Sequence, residues 1–289
     1  MTTPQPEIAR HQLPFILRRE PFGGLLFEPA NGTYVEVDEE AYHFLREWLT
    51  EDREAKTEEE RAFLQQLVAS APSLATERLV YHIPSKKPPA LSALANVKVL
   101  GAPTVIDLQI TERCRMACPH CYMSSSPKGR DLPFDDARRV IEDAAKIGVC
   151  QLAIGGGEPL LYPQFAELLY LSRSRGLMPN LTTTGDGLTE KSLSAMAQCC
   201  GAVALSLEGI HADFGTRRRK GFAHFEATHL AFREAGIPTV FQITLSAENL
   251  PQLPEIVDYC LSCDDLYGVL FLAYKAIGRG ENFHRPLSR

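Results

Sequence analysis

Apolar and polar positions alternate from residue 12 to 37 around a turn at Asn31-Gly32, so Gly24–Glu28 and Thr33–Val37 are predicted as the strands of a β-hairpin. Helical spacing follows. Ala41, Phe44, Leu45 and Trp48 share one side of a helix over Ala41–Thr50, and Phe63, Leu64 and Leu67 share one side of another over Glu58–Ala69. The Pro- and Lys-rich stretch Pro84–Pro89 then breaks the pattern and predicts a linker. Beyond Val105, helical segments ending in Gly are followed at once by short apolar strands. Gly148 precedes Gln151–Ile154, Gly176 precedes Asn180–Thr183, Gly201 precedes Val203–Leu207, and Gly236 precedes Thr239–Thr244, each Gly standing where a left-handed helix cap is wanted. With Val105–Ile110 before and Val269–Ala273 after, six strands are joined by five connections, most of them helical. Repeated β-then-α units imply a parallel sheet of the α/β class, and right-handed crossovers curve it into a partial (β/α)6 TIM-like barrel. Chemistry in such sheets lies at the C-terminal ends of the strands.

A chain of 289 residues with 45% hydrophobic and 23% charged positions is not disordered, collagen-like or disulfide-dense. Lys plus Arg is 30 against 36 for Asp plus Glu, a formal charge of −6, which gives no electrostatic ground for nonspecific binding to nucleic acid or membrane. Apolar runs such as Gly268–Tyr274 fall far short of the ~20 residues that span a bilayer. The segment Met1–Arg10 is polar and lacks the apolar core of a secretory signal, so a cytoplasmic protein is expected. That compartment changes how the eight cysteines read: where thiols stay reduced, a tight cluster of them is a metal or reactive site rather than a set of disulfides.

Such a cluster follows the first barrel strand, in Thr111-Glu112-Arg113-Cys114-Arg115-Met116-Ala117-Cys118-Pro119-His120-Cys121-Tyr122. A structural zinc wants a fourth ligand, and His120, between two of the cysteines, is poorly placed to complete the same tetrahedron. An iron-sulfur cluster ordinarily takes four thiolates, so three leave one iron open to an outside ligand. Cys114, Cys118 and Cys121, separated by three and then two residues at the mouth of a parallel barrel, therefore signal a cluster with an exchangeable site.

On these residues the chain, over about 100 to 280, resembles the radical S-adenosylmethionine (SAM) enzymes. The resemblance implies that Cys114, Cys118 and Cys121 hold a 4Fe-4S cluster whose open iron chelates the methionine part of SAM. After the second strand, Ile154-Gly155-Gly156-Gly157-Glu158-Pro159 resembles the family's glycine-glycine-glutamate motif. There Gly156 and Gly157 would let the backbone approach the ligand and Glu158 would pair with the methionine ammonium. Thr184 closes the third strand as a further pocket residue. Leu205-Ser206-Leu207-Glu208-Gly209 is similar to a Ser-x-Asp-Gly motif that contacts the ribose, with Glu208 in place of Asp beside Ser206. Arg218, within Thr216-Arg217-Arg218-Arg219-Lys220, stands where relatives place an Arg that reaches the SAM carboxylate. Gly278-Arg279-Gly280 resembles a closing turn whose backbone meets the adenine, and Tyr122 resembles an aromatic that packs on it. Cys199, Cys200, Cys260 and Cys263 end two helical segments and are expected as packing thiols, since a second ligand set would have to be gathered from distant helices; Cys150 is expected in the core.

The segment from Leu13 to about Ser85 resembles the winged-helix-like α+β peptide-recognition domains fused to enzymes that modify ribosomally made peptides, the type seen in the pyrroloquinoline quinone peptide chaperone. Gly24–Glu28, Asn31–Val37 and the helix Glu40–Trp48 carry that likeness. The expected division is a recognition domain over 1–85, a linker over 86–100 and the barrel over 101–289. The implied function is reductive cleavage of SAM to a 5′-deoxyadenosyl radical that abstracts hydrogen from a precursor peptide bound through its leader, with electrons from a donor such as flavodoxin or ferredoxin. The alternatives are a radical SAM enzyme acting on a small metabolite or tetrapyrrole, or an inactive peptide-binding scaffold.

Overall fold

A computed structural model describes residues 15–29, 32–75, 80–83, 100–211 and 220–283. The predicted turn residue Asn31, the linker stretch Pro84–Pro89 and Arg218 lie outside them. The chain forms two compact units, one of Met1–Ile106 with Arg139–Leu152 and Ser172–Met178, the other of Asp107–Arg138, Ala153–Leu171 and Pro179–Arg289.

In the first unit a four-stranded sheet runs in the order β3-β2-β1-β4, from β1 (Phe15–Glu20), β2 (Gly23–Glu28), β3 (Thr33–Val37) and β4 (Val80–Ile83). The predicted hairpin is β2 and β3, paired Gly24 to Val37 through Glu28 to Thr33. Helices α1 (Glu39–Thr50) and α2 (Glu58–Ser70) follow, the first capped by the Asp38 side chain and the second by a reciprocal Thr57–Glu60 box. Phe15, Leu17 and Leu26 from the sheet bury against Leu45, Trp48 and Leu67 from the helices. On the opposite face Ile16 and Phe27 pack with Cys150 and Met178, so Cys150 is core as expected.

Sequence reading missed β1, because its alternation is broken by Arg18 and Glu20, both all but fully buried. They survive there as a pair: Arg18 Nε donates to Glu20 Oε1 at 2.5 Å, and Arg18 Nη1 donates to the carbonyls of Gly148 at 2.7 Å and Pro103 at 3.0 Å.

The second sheet has six strands in sequential order, β5 (Val105–Thr111), β6 (Gln151–Gly156), β7 (Met178–Thr183), β8 (Val203–Leu207), β9 (Thr239–Leu245) and β10 (Leu266–Ala273). The pairs β7–β8, β8–β9 and β9–β10 are parallel, as βαβ succession requires. Helices α3 (Phe134–Lys146), α4 (Phe165–Ser174), α5 (Glu190–Cys199), α6 (Phe222–Glu234) and α7 (Leu253–Ser262) lie between them in sequence. Gly148, Gly176 and Gly236 take the expected left-handed conformation. Gly201 does not: α5 ends on an extended Cys200, and the Gly201 N–H turns to the Pro179 carbonyl at 3.0 Å. Among the described residues no helix is long and apolar enough to cross a membrane.

Candidate active site

The cysteine loop leaves β5 at Thr111 and is closed at its base by backbone bonds: Cys114 N–H to the Ser126 carbonyl at 3.0 Å and Glu112 N–H to the Arg130 carbonyl at 2.8 Å. Arg113 and Thr111 both grip Asp131, with Arg113 Nε and the Thr111 hydroxyl donating to Oδ1 at 3.0 and 2.7 Å. Between these anchors the backbone curls through left-handed Ala117 and Ser124, conformations that cost a non-glycine residue about 1 kcal/mol or more each and persist only where the surroundings enforce them.

All eight cysteines are free thiols. Cys114 is buried while Cys118 and Cys121 are half-buried, and the Met116 N–H points at the Cys114 sulfur at 3.4 Å. Burial pushes the Cys114 thiol up to about 11 against the Met116 bond, and the nearby Cys118, Glu158 and Cys121 push in the same direction. No three His, Cys, Asp or Glu side chains among the described residues are gathered to hold one metal ion. A four-iron cluster spreads its thiolates wider than one ion does, and a second observation fits it. The Ser125 hydroxyl, in the same loop, is buried and has no hydrogen-bond partner among the described residues, a donor that a bound group could use. Cys150, Cys199, Cys200 and Cys260 are buried, as expected of packing thiols, and Cys263 is partly exposed.

The glycine motif ends β6 against the cysteine loop. A Cβ on Gly156 (φ 133°) would fall 2.3 Å from the Thr111 carbonyl oxygen, and one on Gly157 would fall 2.2 Å from that of Arg113. The chain there runs hard against the root of the cysteine loop, with Gly157 and Glu158 N–H groups donating to the Thr111 and Arg113 carbonyls, each at 2.7 Å. Both glycines leave room for the backbone of the cysteine loop. Glu158 is likewise turned inward. Fully buried, it accepts from Thr183 Oγ1 at 2.5 Å, Thr184 N–H at 2.8 Å, Thr184 Oγ1 at 2.6 Å and Leu160 N–H at 3.2 Å, so both oxygens are spoken for. Burial nonetheless raises its carboxyl above the usual range.

Strand alternation buries Val203, Leu205 and Leu207 of β8 and leaves Ser206 on the other face. Ser206 there lines a pocket with Met116, Thr184, Glu208, Lys220 and His224. The Glu208 carboxylate lies 3.3 Å from His120 Nε2. His224 Nε2 donates to the Thr184 carbonyl at 3.1 Å, and burial, then Lys220, hold its imidazole below the ordinary value and therefore neutral near pH 7. Sequence reasoning passed over His224, and also Asp186, whose side chain is 3% exposed and holds two cations. Arg115 Nε donates to Asp186 Oδ2 at 2.8 Å and Lys220 Nζ approaches Oδ1 at 2.7 Å. A lone Asp two residues past Thr184 carries no local signal, since its partners come from the cysteine loop and from the end of the cationic run.

The closing turn packs on the cysteine loop. Gly278 is left-handed at φ 61°, and a Cβ there would lie 2.1 Å from the Tyr122 carbonyl oxygen. Tyr122 itself is 58% exposed, with Gln109 and Asp107 nearby.

Compared with known families, residues 108–260 match the radical SAM superfamily. The chain belongs to that superfamily. The matched stretch includes the three loop cysteines, Gly156–Glu158 and Ser206. The PqqA peptide cyclase of Ruegeria pomeroyi is 32% identical over 166 residues, 55% of this chain and 44% of that protein. The PqqA peptide cyclase of Rhodopseudomonas palustris is 32% identical over 174 residues, 58% of this chain and 46% of that protein. Each alignment thus spans less than half of the cyclase. In fold the chain is similar to Streptococcus suis SuiB bound to precursor peptide SuiA, with a TM-score of 0.64, 19% identity and coverage of 93% of this chain and 63% of that one. This radical SAM chain therefore has the family's partial barrel with a small sheet before it.

Proposed function

We propose that this chain is a radical SAM enzyme that modifies a ribosomally made precursor peptide. The observation that carries the reading is the anchored loop presenting Cys114, Cys118 and Cys121, with the Ser125 hydroxyl in the same loop buried and without a partner among the described residues. It is supported by the names of the relatives, two PqqA peptide cyclases and a SuiB solved with its precursor peptide. When bound, a 4Fe-4S cluster and SAM supply a 5′-deoxyadenosyl radical that takes a hydrogen atom from a substrate carbon.

The three thiols would hold the cluster as thiolates, Cys114 stabilised by the Met116 N–H. Gly156 and Gly157 fix the second strand end against the loop root, and Glu158 ties it to Thr184, so the pocket floor is rigid before any ligand arrives. Ser206 and Glu208 offer hydroxyl and carboxylate to the sugar, with His120 the competing partner of Glu208. Gly278 and Tyr122 would meet the adenine. Lys220, and Arg218 in the same cationic run, offer positive charge to the SAM carboxylate.

Residues 1–85 act in this reading as the leader-binding domain, with 86–100 as linker and 101–289 as barrel. Strand β3 is an edge of the first sheet, and an extended leader would add beside it through backbone hydrogen bonds. Flavodoxin or ferredoxin would deliver the electron, in the reducing cytoplasm that eight free thiols suit.

Anaerobic reconstitution with iron and sulfide, followed by dithionite and SAM, tests the assignment. Wild-type protein is expected to release 5′-deoxyadenosine, and C114A, C118A and C121A to release none. Normal release by any of the three would sink it. Binding of a leader-like peptide, measured by fluorescence anisotropy on the full chain, separates peptide from metabolite substrates.

A further inference from the structure

The turn Gly278–Asn282 is bound to the cysteine loop by more than one close fit. Arg279 Nε donates to the Cys118 carbonyl at 2.8 Å and Arg279 Nη1 to the Ser125 carbonyl at 3.1 Å. One guanidinium thus joins the second cysteine to a residue beyond the third, across the stretch that contains Cys121. Gly278 rests on the Tyr122 carbonyl, and Gly280, buried, sits so that a Cβ would be 3.2 Å from the His120 carbonyl oxygen. The turn is itself braced, since the Tyr274 hydroxyl donates to the Gly280 carbonyl and Phe283 packs edge-on to Tyr274 at 5.5 Å and near His120 at 5.9 Å.

We propose that this turn is a latch on the cysteine loop and that Arg279 is its positioning residue, fixing the spacing of Cys118 and Ser125 and so retaining the cluster. The argument is geometric. A guanidinium presents its donors in a rigid planar fork, so two carbonyls bonded to it are held at one separation, whereas an ammonium on a flexible stem imposes no such spacing. The left-handed, sterically closed Gly278 leaves the turn little room to slide. The carbonyl Arg279 holds at Ser125 belongs to the residue whose hydroxyl is the loop's partnerless donor, so the same bond sets where that hydroxyl stands. Ligand orientation by such outer contacts is a general determinant of metal retention. The inference rests on the cluster assignment above, but it concerns the chain's own residues and adds a role to a turn otherwise read as an adenine contact.

The test compares wild type, R279K and R279M, each the full chain reconstituted anaerobically. Two quantities are read: the rate of iron loss to the chelator bathophenanthroline, and the electron paramagnetic resonance spectrum of the dithionite-reduced protein. R279M is expected to lose iron about tenfold faster than wild type, with R279K between them and a shifted g-tensor in both variants. Far-UV circular dichroism and thermal midpoints of the iron-free proteins serve as the fold control. Wild-type release rates and spectrum in R279M would overturn the proposal. So would a lowered iron-free midpoint in R279M combined with wild-type iron release in R279K, which would make Arg279 a brace for the fold alone. Should R279M prove insoluble, R279K decides on the same rate, an unchanged rate overturning the proposal. A wild-type protein that takes up no iron would instead remove the cluster assignment itself.

Discussion

Glu158 and Thr184 are joined twice: the backbone N–H and the hydroxyl of Thr184 both donate to Glu158 Oε2, at 2.8 and 2.6 Å. Every group facing this carboxylate is a donor, so Glu158→Gln would turn an amide N–H2 toward donors and leave at least one of them unpaired. Hydrogen bonds to a buried charged group contribute roughly 1.5–3 kcal/mol, and a loss of about 2 kcal/mol is expected for the variant. Differential scanning calorimetry of the iron-free protein should show its midpoint lowered by about 4–8 °C. An unchanged midpoint would argue against these bonds as a source of stability.

The Arg18–Glu20 pair gives a second prediction. Removing the guanidinium strands a buried carboxylate and the buried Gly148 carbonyl, and takes the donor from the partly buried Pro103 carbonyl. Breaking one side of a buried pair costs about 3–5 kcal/mol, so Arg18→Met should unfold at markedly lower urea than wild type. Adding Glu20→Gln removes the stranded charge while keeping an acceptor for the Gly101 N–H, 2.5 Å from Glu20 Oε2, and should recover part of the loss. Equal midpoints for the single and double variants would argue against the charge as the cause.

These two sites also show what the sequence discloses. The six parallel strands were legible because Val-, Leu- and Ile-rich runs such as Val203–Leu207 recur after helices at regular intervals, and β10 differs from expectation only in starting at Leu266. Strand β1 was not, since Arg18 and Glu20 imitate a surface and only their mutual pairing lets them be buried. In the site, Gly156, Gly157 and Gly278 were singled out from motifs as ligand-side positions, and the structure adds a backbone neighbour that each of them faces. What a glycine must avoid is a contact across the fold, here the carbonyls of Thr111, Arg113 and Tyr122, and local sequence does not carry it. Asp186 was invisible for the same reason.

Asp186 yields a prediction with a pH signature. Burial alone would raise its carboxyl, but the bonds from Arg115 and Lys220 outweigh burial and hold it below the usual range. A carboxyl depressed in the fold contributes stability that is present above its unfolded value, about 3.9, and disappears as pH falls through the folded value. Asp186→Asn should therefore cost about 2 kcal/mol near neutrality, the lower end for a buried pair because Arg115 stays half exposed. The gap between variant and wild type should close below about pH 4 in urea titrations. A gap independent of pH would assign the loss to packing instead.

His224 titrates in the opposite range from Asp186 but with the same sense. Its imidazole is held below the ordinary value by burial first and by Lys220 second, while the Thr184 carbonyl and Asp186 pull the other way. A histidine depressed in the fold is bound as the neutral ring, so the stability it contributes is present above its unfolded value, about 6.5, and is lost as pH falls through the folded one. Because Nε2 is committed to the Thr184 carbonyl, the neutral ring leaves Nδ1 as an acceptor in the pocket shared with Ser206, and protonation converts it to a second donor. SAM affinity measured by equilibrium dialysis should fall as pH is lowered from about 7 toward 5.5, and His224→Gln, which keeps an amide donor for Thr184 but does not titrate, should flatten that profile. A profile of the same shape in the variant would place the titrating group elsewhere, with His120 beside Glu208 the next to substitute.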